Sequence, residues 1–352
     1  MSHIGSADDL LNESLSLLKE SLDHIDGEVS LRTFDPSLDR FINDEESIKG
    51  DEMAEETTLT LDRVQLPRSI ELHDGSLRHI FAVDTSSIVL GECGKGLVFA
   101  VRGIIVHWNP WNQKSIVVQK FEAPCFVSNE NKKHLYNSLR KKLLGLSEVE
   151  HAPDLLKMVD RVRNIHERYL QMQAAEKYPD SILLFDGSLT GGTIDTPVNV
   201  LRNILQSASA SNSDVVAFSK KTRLVTKWGE RILDLLANEP TSPIIMPVKN
   251  IVETSGTHEF LGEVYMARLG RVPVSFRLDV YSQRNHGQVL ADLLHSVYLE
   301  NGYPKPLIEA HVFCYFNPFD ALTYQGLLAK NGLVLRHEFD VRRILFGVYG
   351  GT

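Results

Sequence analysis

The sequence predicts a mixed α/β sheet covered by helices. Short apolar runs of strand length recur along the chain: His79–Asp84 (HIFAVD), Gly96–His107 (GLVFAVRGIIVH), Ser181–Asp186 (SILLFD) and Asp214–Ser219 (DVVAFS). Longer stretches with helical spacing lie between them. Further on, Phe260–Ala267 and Val272–Tyr281 read as a strand pair turning at Gly270. Strands alternating with helices and closed by a hairpin are the pattern of such a sheet.

The elements follow in chain order. Residues 6–25 read as an amphipathic helix, with Ser6 as N-cap and Asp8 and Asp9 in the first turn, where carboxylates complement the helix dipole. Leu11, Leu15, Leu18, Leu22 and Ile25 form a short 4-3-4-3 seam, which suits docking on the chain's own core or pairing with another subunit. Residues 26–62 are acidic with weak periodicity, and Asp44–Glu56 reads as a solvated or partly ordered linker. Residues 1–62 are therefore expected to be an acidic helical leader and linker, and residues 63–352 the main domain.

Within that domain HIFAVD is a strand ending in an acid. Gly91–Gly96 (GECGKG) joins two strand-like segments and opens no helix, so it reads as a hairpin turn and not a phosphate loop. Asn131–Leu144 is helical and stopped by Gly145, and Pro153–Lys177 is a longer helix. SILLFD leads into the turn Gly187–Gly192. Thr196–Ala208 is a helix with Thr196 as N-cap and Pro197 at its first position. After the strand DVVAFS, Lys227–Asn238, Gly287–Asn301 and Lys305–Phe313 are expected to be helical.

Composition narrows the class. The chain has 352 residues, 43% hydrophobic and 24% charged, as in soluble globular proteins. No apolar run reaches the ~18 residues that a membrane span needs. The first residues lack the basic start and apolar stretch of a signal peptide. The three cysteines make neither a disulfide framework nor a CxxC site, so a cytoplasmic location is expected. The net charge of −9 is unevenly spread. Residues 1–62 hold 17 acidic and 4 basic residues, a balance of −13, and the remainder is +4. The main body is thus mildly basic, which permits nucleic-acid binding.

Two acids stand out by context. Asp84 ends FAVD before Thr85-Ser86-Ser87, and Asp186 ends ILLFD before Gly187-Ser188. An aspartate at the end of a buried strand sits where α/β folds place ligands, and a carboxylate there is costly unless hydrogen-bonded or bound to a cation. Two such ends side by side make an oxygen site suited to Mg²⁺ or Mn²⁺. Each can equally cap the turn that follows it. Glu167 lies on the helix Pro153–Lys177, just before the strand bearing Asp186, where a glutamate can be a ligand or a solvated helix residue. Tyr303 and His311 are eight residues apart in a segment whose prolines favour a helix start. A histidine beside carboxylates is a metal ligand or proton carrier, although most lone histidines are neither.

FAVDTSS, LLFDGSL, AFSKKTR, FRLDV and NGYPKPLIEAH occur in the order and rough spacing of one family. Over about residues 75–315 the chain resembles the NurA nucleases. The resemblance implies an RNase H-like core, a homodimer, and DNA cleavage dependent on Mn²⁺, with Mg²⁺ as a substitute and two ions per site. It also implies 5′-to-3′ exonuclease and endonuclease action on single- and double-stranded DNA. The implied partner is the hexameric helicase-translocase HerA, in DNA end resection and repair. Carried over by position, Asp84 is the first acid and bridging ligand. Asp186 and Glu167 are flanking ligands, with Glu176 as second candidate for the helical acid. His311 is a ligand or proton shuttle, and Tyr303 orients His311 or a phosphate. Lys220 or Lys221 neutralises phosphate charge or is an ordinary surface lysine. Two other readings stay open: a non-catalytic DNA-binding adaptor subunit of a HerA-type translocase, and another RNase H-like nuclease such as a resolvase or RNA hydrolase.

Overall fold

The apolar runs read from the sequence become strands that are buried on both faces, which is why they lack polar alternation. In the computed structural model the described residues are 68–330, apart from 94–95, 194–195, 223, 227–230, 235, 237–241 and 253–257, together with 29–31 and 335–337. The leader helix expected at 6–25 lies outside them.

The first described element is β1 (Val29–Leu31). A three-strand meander follows: β2 (Ile80–Cys93), β3 (Gly96–Asn109) and β4 (Lys114–Ser128). Then come helices α1 (Lys132–Leu144) and α2 (Leu155–Lys177). Next are β5 (Ile182–Asp186), β6 (Thr190–Gly191), α3 (Val198–Ala210) and β7 (Asp214–Ser219). The second antiparallel part contains β8 (Ile244–Pro247), β9 (Glu259–Phe260), β10 (Glu263–Arg268) and β11 (Phe276–Tyr281). The last elements are α4 (His286–Ser296), β12 (Leu299–Glu300), β13 (Tyr303–Pro304), α5 (Lys305–Cys314), α6 (Pro318–Lys330) and β14 (Leu335–His337).

The main sheet runs β4-β3-β2-β5-β7-β11-β10-β8. Its centre, β2-β5-β7, is parallel, and the pairs on either side are antiparallel. This is the expected mixed sheet flanked by helices. Successive side chains point to opposite faces. Phe81, Val83, Leu183, Phe185, Val215 and Ala217 therefore join one core, under α1, α2 and α3. Ile80, Ala82, Ile182, Leu184, Val216 and Phe218 join the other, under α4 and α5. No described helix is long and apolar enough to cross a membrane.

Several elements differ from the expectations. β2 does not end at Asp84: it continues to Cys93 because β3 pairs with its whole length, and Cys93 opposite Gly96 closes the expected hairpin. β1 adds to this extension, with Ser30 opposite Glu92, so part of the acidic leader belongs to the sheet. Helix α3 starts at Val198 with Pro197 in the cap position, one residue later than expected. The helix expected over 287–301 stops at Ser296 and gives way to β12. Within the helix expected over 227–238, the described residues hold one 3-10 turn, Ile232–Asp234, after a bridge from Arg231 to Val225. Gly145 does end α1, and its φ of 64° is a left-handed conformation that glycine adopts without strain.

One buried histidine makes stability depend on pH. His166 on α2 lies under the sheet, stacked on Phe121, and shares a 2.8 Å hydrogen bond with the Val162 carbonyl. Burial holds its imidazole down to about 4. The neutral form is thus favoured in the fold. The associated stability is complete above the ordinary value near 6.5 and is lost as pH falls towards 4. From pH 7.5 to pH 5 the parent should lose about 2 kcal/mol more stability than a His166→Phe variant. Urea unfolding of both proteins at the two pH values checks this.

Candidate active site

The site forms where β5 and β7 stop and β2 continues. Val83 is opposite Phe185 in the parallel ladder, so the next residues, Asp84 and Asp186, are neighbours on adjacent strands about 4.8 Å apart. Both continue the alternation that carries Ala82 and Leu184 into the core beneath α4 and α5. Both therefore face α5, and residues from that region meet them. His311, on α5, places Nδ1 3.0 Å from Asp84 Oδ2. The Tyr303 hydroxyl donates to Asp186 Oδ1 over 3.3 Å. Acids far apart in sequence are thus joined into one pocket by the sheet register.

Asp84 is 9% exposed. Its Oδ1 accepts the backbone N–H of Thr85 at 2.8 Å, leaving Oδ2 for His311. The hydrogen bond to Asp84 raises the exposed His311 imidazole above its ordinary value. Tyr303 is buried and packs edge-on against Phe218. Burial, and then the charges of Asp186 and Asp84, hold its phenol well above the ordinary value, so it remains a neutral donor. The hydroxyl of Tyr303, expected to orient His311 or a phosphate, is directed at Asp186.

Lys220 follows the last residue of β7, and its Nζ lies 2.9 Å from Asp186 Oδ2 and 5.1 Å from the centre of the Tyr303 ring. Lys221 is exposed, and its neighbour is the lysine that meets the acid.

Glu167 approaches from the other face, on α2. Its Oε2 is 3.5 Å from the Thr85 hydroxyl, and its Oε1 accepts from Gln171 at 3.1 Å. Thr85 follows Asp84 on the strand and points to the opposite face, so Glu167 reaches the residue next to the acid from the α2 side of the sheet. Glu176 is exposed nine residues further along α2. At the helical rise this is about 13 Å away, towards the opposite edge of the sheet. Buried Cys314 donates to the Arg102 carbonyl over 3.0 Å. Burial and the Asp84 charge push its thiol well up, which keeps it protonated. The Ser86 hydroxyl donates to the Cys314 carbonyl and fastens the end of α5 to β2.

Among the described residues, no three His, Cys, Asp or Glu side chains are gathered tightly enough to hold a metal ion as they stand. The donor chemistry nevertheless fits one. Mg²⁺ and similar hard ions are held by one or two carboxylates, together with water and substrate phosphates. Asp84 and Asp186 are such a pair, and each carboxylate already draws a basic side chain, His311 and Lys220 respectively.

The sequence reading missed Thr85 and Gln171, which tether Glu167, and also the pair Arg277 and Asp279. Arg277 and Asp279 are each 1% exposed. In FRLDV they stand two apart within an apolar run, and that spacing on a strand signals two charges on one buried face.

Comparison with known proteins agrees with the motifs. The chain is similar to the NurA nuclease from Sulfolobus solfataricus, with 14% identity and a TM-score of 0.48 over 84% of this chain and 94% of that one. It is similar to a NurA bound to dAMP and manganese, with 10% identity and a TM-score of 0.43 over 84% of this chain and 94% of that one. Endonuclease V from Bacillus subtilis is 12% identical, with a TM-score of 0.37 over 74% of this chain and 88% of that one. No curated protein matches in sequence. The family description "NurA domain" matches residues 78–312, most of the chain. The chain belongs to the NurA family.

Proposed function

We propose that this NurA protein is a divalent-metal-dependent DNA nuclease whose reaction centre is the pocket of Asp84 and Asp186. What carries the reading is the register that makes these two carboxylates neighbours on one face of the sheet, with His311 and Tyr303 beside them. Asp84 and Asp186 are assigned as the principal ligands of Mn²⁺ or Mg²⁺, with Glu167 as a further ligand and His311 as a ligand or proton shuttle. When bound, such cations lower the pKa of water and neutralise charge on the phosphate and the leaving oxygen. The chain's own groups do the rest. Tyr303 donates its hydrogen bond to Asp186 and holds that carboxylate in place. In the proton-shuttle role His311 would accept or deliver a proton at Nδ1, the atom that now meets Asp84. Lys220, freed from Asp186, pairs with a phosphate oxygen, and the mildly basic body attracts the strand.

Family membership supports the remaining parts of the proposal. These are a homodimer, 5′-to-3′ exonuclease and endonuclease action on single- and double-stranded DNA, and work alongside a HerA-type hexameric ATPase in end resection in the cytoplasm. The division into a leader at 1–62 and a nuclease domain at 63–352 is likewise part of the proposal, with the leader as a dimer or partner contact.

The test uses full-length protein with Mn²⁺, Mg²⁺ or EDTA on end-labelled single- and double-stranded DNA, junction DNA and an RNA–DNA hybrid. Cleavage of linear DNA with Mn²⁺ and none in EDTA is the expected result. Preference for the junction or the hybrid points to a different RNase H-like activity. DNA binding without cleavage under any metal overturns the proposal in favour of the adaptor.

A further inference from the structure

The turn after Asp186 is held from both sides. On one side, Gly187 N–H donates to the Phe218 carbonyl at 2.8 Å, and the Ser219 hydroxyl donates to the Gly187 carbonyl at 2.7 Å. Gly187 has a φ of 110°, a conformation that L side chains rarely adopt, so the chain leaves β5 sharply at this residue. On the other side, Asp279 Oδ2 accepts the Leu189 N–H at 2.7 Å. Arg277 grips the same carboxylate with Nε at 2.7 Å and Nη2 at 2.8 Å, and Nη2 also donates to the Thr190 hydroxyl at 2.7 Å.

An ion pair this deeply buried is a poor source of stability, because apolar residues of the same volume generally serve as well. Its use lies in direction. Here the hydrogen bonds left over after Arg277 and Asp279 pair are spent on residues 189 and 190, three and four positions past Asp186. We propose that Arg277 and Asp279 are positioning residues for the Asp186 carboxylate, fixing the turn that aims it at the cation pocket. This inference rests on the metal-site reading above and adds two residues remote from the pocket.

The test is Mn²⁺ affinity, read by electron paramagnetic resonance of free Mn²⁺ with full-length protein, for the parent, Asp279→Asn, Asp186→Ala and Arg284→Ala. Arg284 belongs to a buried charge network at the other end of the parallel strands and controls for lost stability. Asp279→Asn should weaken Mn²⁺ binding about 10–100-fold, the usual cost of losing a group that orients a ligand. Its cleavage should recover at saturating Mn²⁺ with the KM for DNA unchanged, while Arg284→Ala binds Mn²⁺ like the parent. A folded Asp279→Asn with parental Mn²⁺ affinity overturns the inference, as does equal weakening in Arg284→Ala. Should Asp279→Asn fail to fold, Thr190→Val removes one hydrogen bond and keeps the ion pair. It should weaken Mn²⁺ about threefold, the worth of a single hydrogen bond, and an unchanged affinity overturns the inference. Loss of Mn²⁺ in Asp186→Ala alone overturns only the positioning role. Mn²⁺ retained in Asp186→Ala overturns the metal-site reading and this inference with it.

Discussion

Asp84→Asn and Asp186→Asn proteins are expected to fold as the parent does and to lose metal-dependent DNA cleavage about a thousandfold. The size follows from removing about 4 kcal/mol of charge stabilisation that each ligand helps a cation to supply. The amide is nearly isosteric and at position 186 would still offer an oxygen to Tyr303, while the charge and the acceptor for Lys220 are lost. Two carboxylates on neighbouring strands also repel each other. In EDTA, therefore, each variant should melt no lower than the parent. A fall in activity that merely tracks a fall in melting temperature would make these residues structural. The assay compares initial rates on end-labelled DNA with Mn²⁺, with thermal melts of the same samples.

The second large effect is expected far from the chemistry. Asp214 is the first residue of β7, opposite Ile182, so it lies at the other end of the parallel strands from Asp186. Its side chain is 3% exposed, and that of Asp292 on α4 is 0% exposed. Arg284 joins them, with Nη1 2.9 Å from Asp214 Oδ2 and Nη2 2.5 Å from Asp292 Oδ2. The Ser76 N–H and the Gln288 amide complete the shell of Asp292. Together these bonds keep the Asp292 carboxyl below its ordinary value despite the opposing effect of burial. Removing the guanidinium leaves two buried carboxylates without their main counter-charge. Arg284→Ala should thus cost about 3–5 kcal/mol, measured by urea unfolding at neutral pH. A loss under about 1 kcal/mol would mean that water replaces the guanidinium and that the network is more open than its burial indicates.

How much of this was legible in the sequence depended on burial. β5 and β7 are short strands in the parallel centre, covered on both sides, and their unbroken apolar letters gave their extents within a residue. β4 escaped notice because its first half, Lys114–Lys120, is largely exposed and mixes lysines with valines, while Pro124 interrupts the second half. β8 is four residues long and follows a proline. Helix α6 buries little beyond Ala321 and Leu328, so its apolar residues trace no clear stripe. β2 was cut short at Asp84 because Asp-Thr-Ser-Ser reads as a turn. Pairing with β3 is a long-range contact that overrides that local preference.

The site divides along the same line. Asp84 and Asp186 were visible because an acid closing an apolar run is conspicuous. Their adjacency was not, since strand order and register are set by the folded sheet. His311 and Tyr303 came from the motif around them. Which acid each one touches came from where α5 rests. Lys220 and Lys221 are identical by local sequence, and only the end of β7 distinguishes the one that meets Asp186. Glu167 stood out only by its helix, and the folded sheet shows what it meets, the Thr85 hydroxyl beside Asp84.

The most direct measurement is diffraction from Mn²⁺-soaked crystals of the parent, recorded at the manganese absorption edge. An anomalous peak within ligand distance of both the Asp84 and the Asp186 carboxylates is expected, with Lys220 moved off Asp186. Manganese bound elsewhere while Lys220 stays on Asp186 and His311 on Asp84 would contradict the proposed centre.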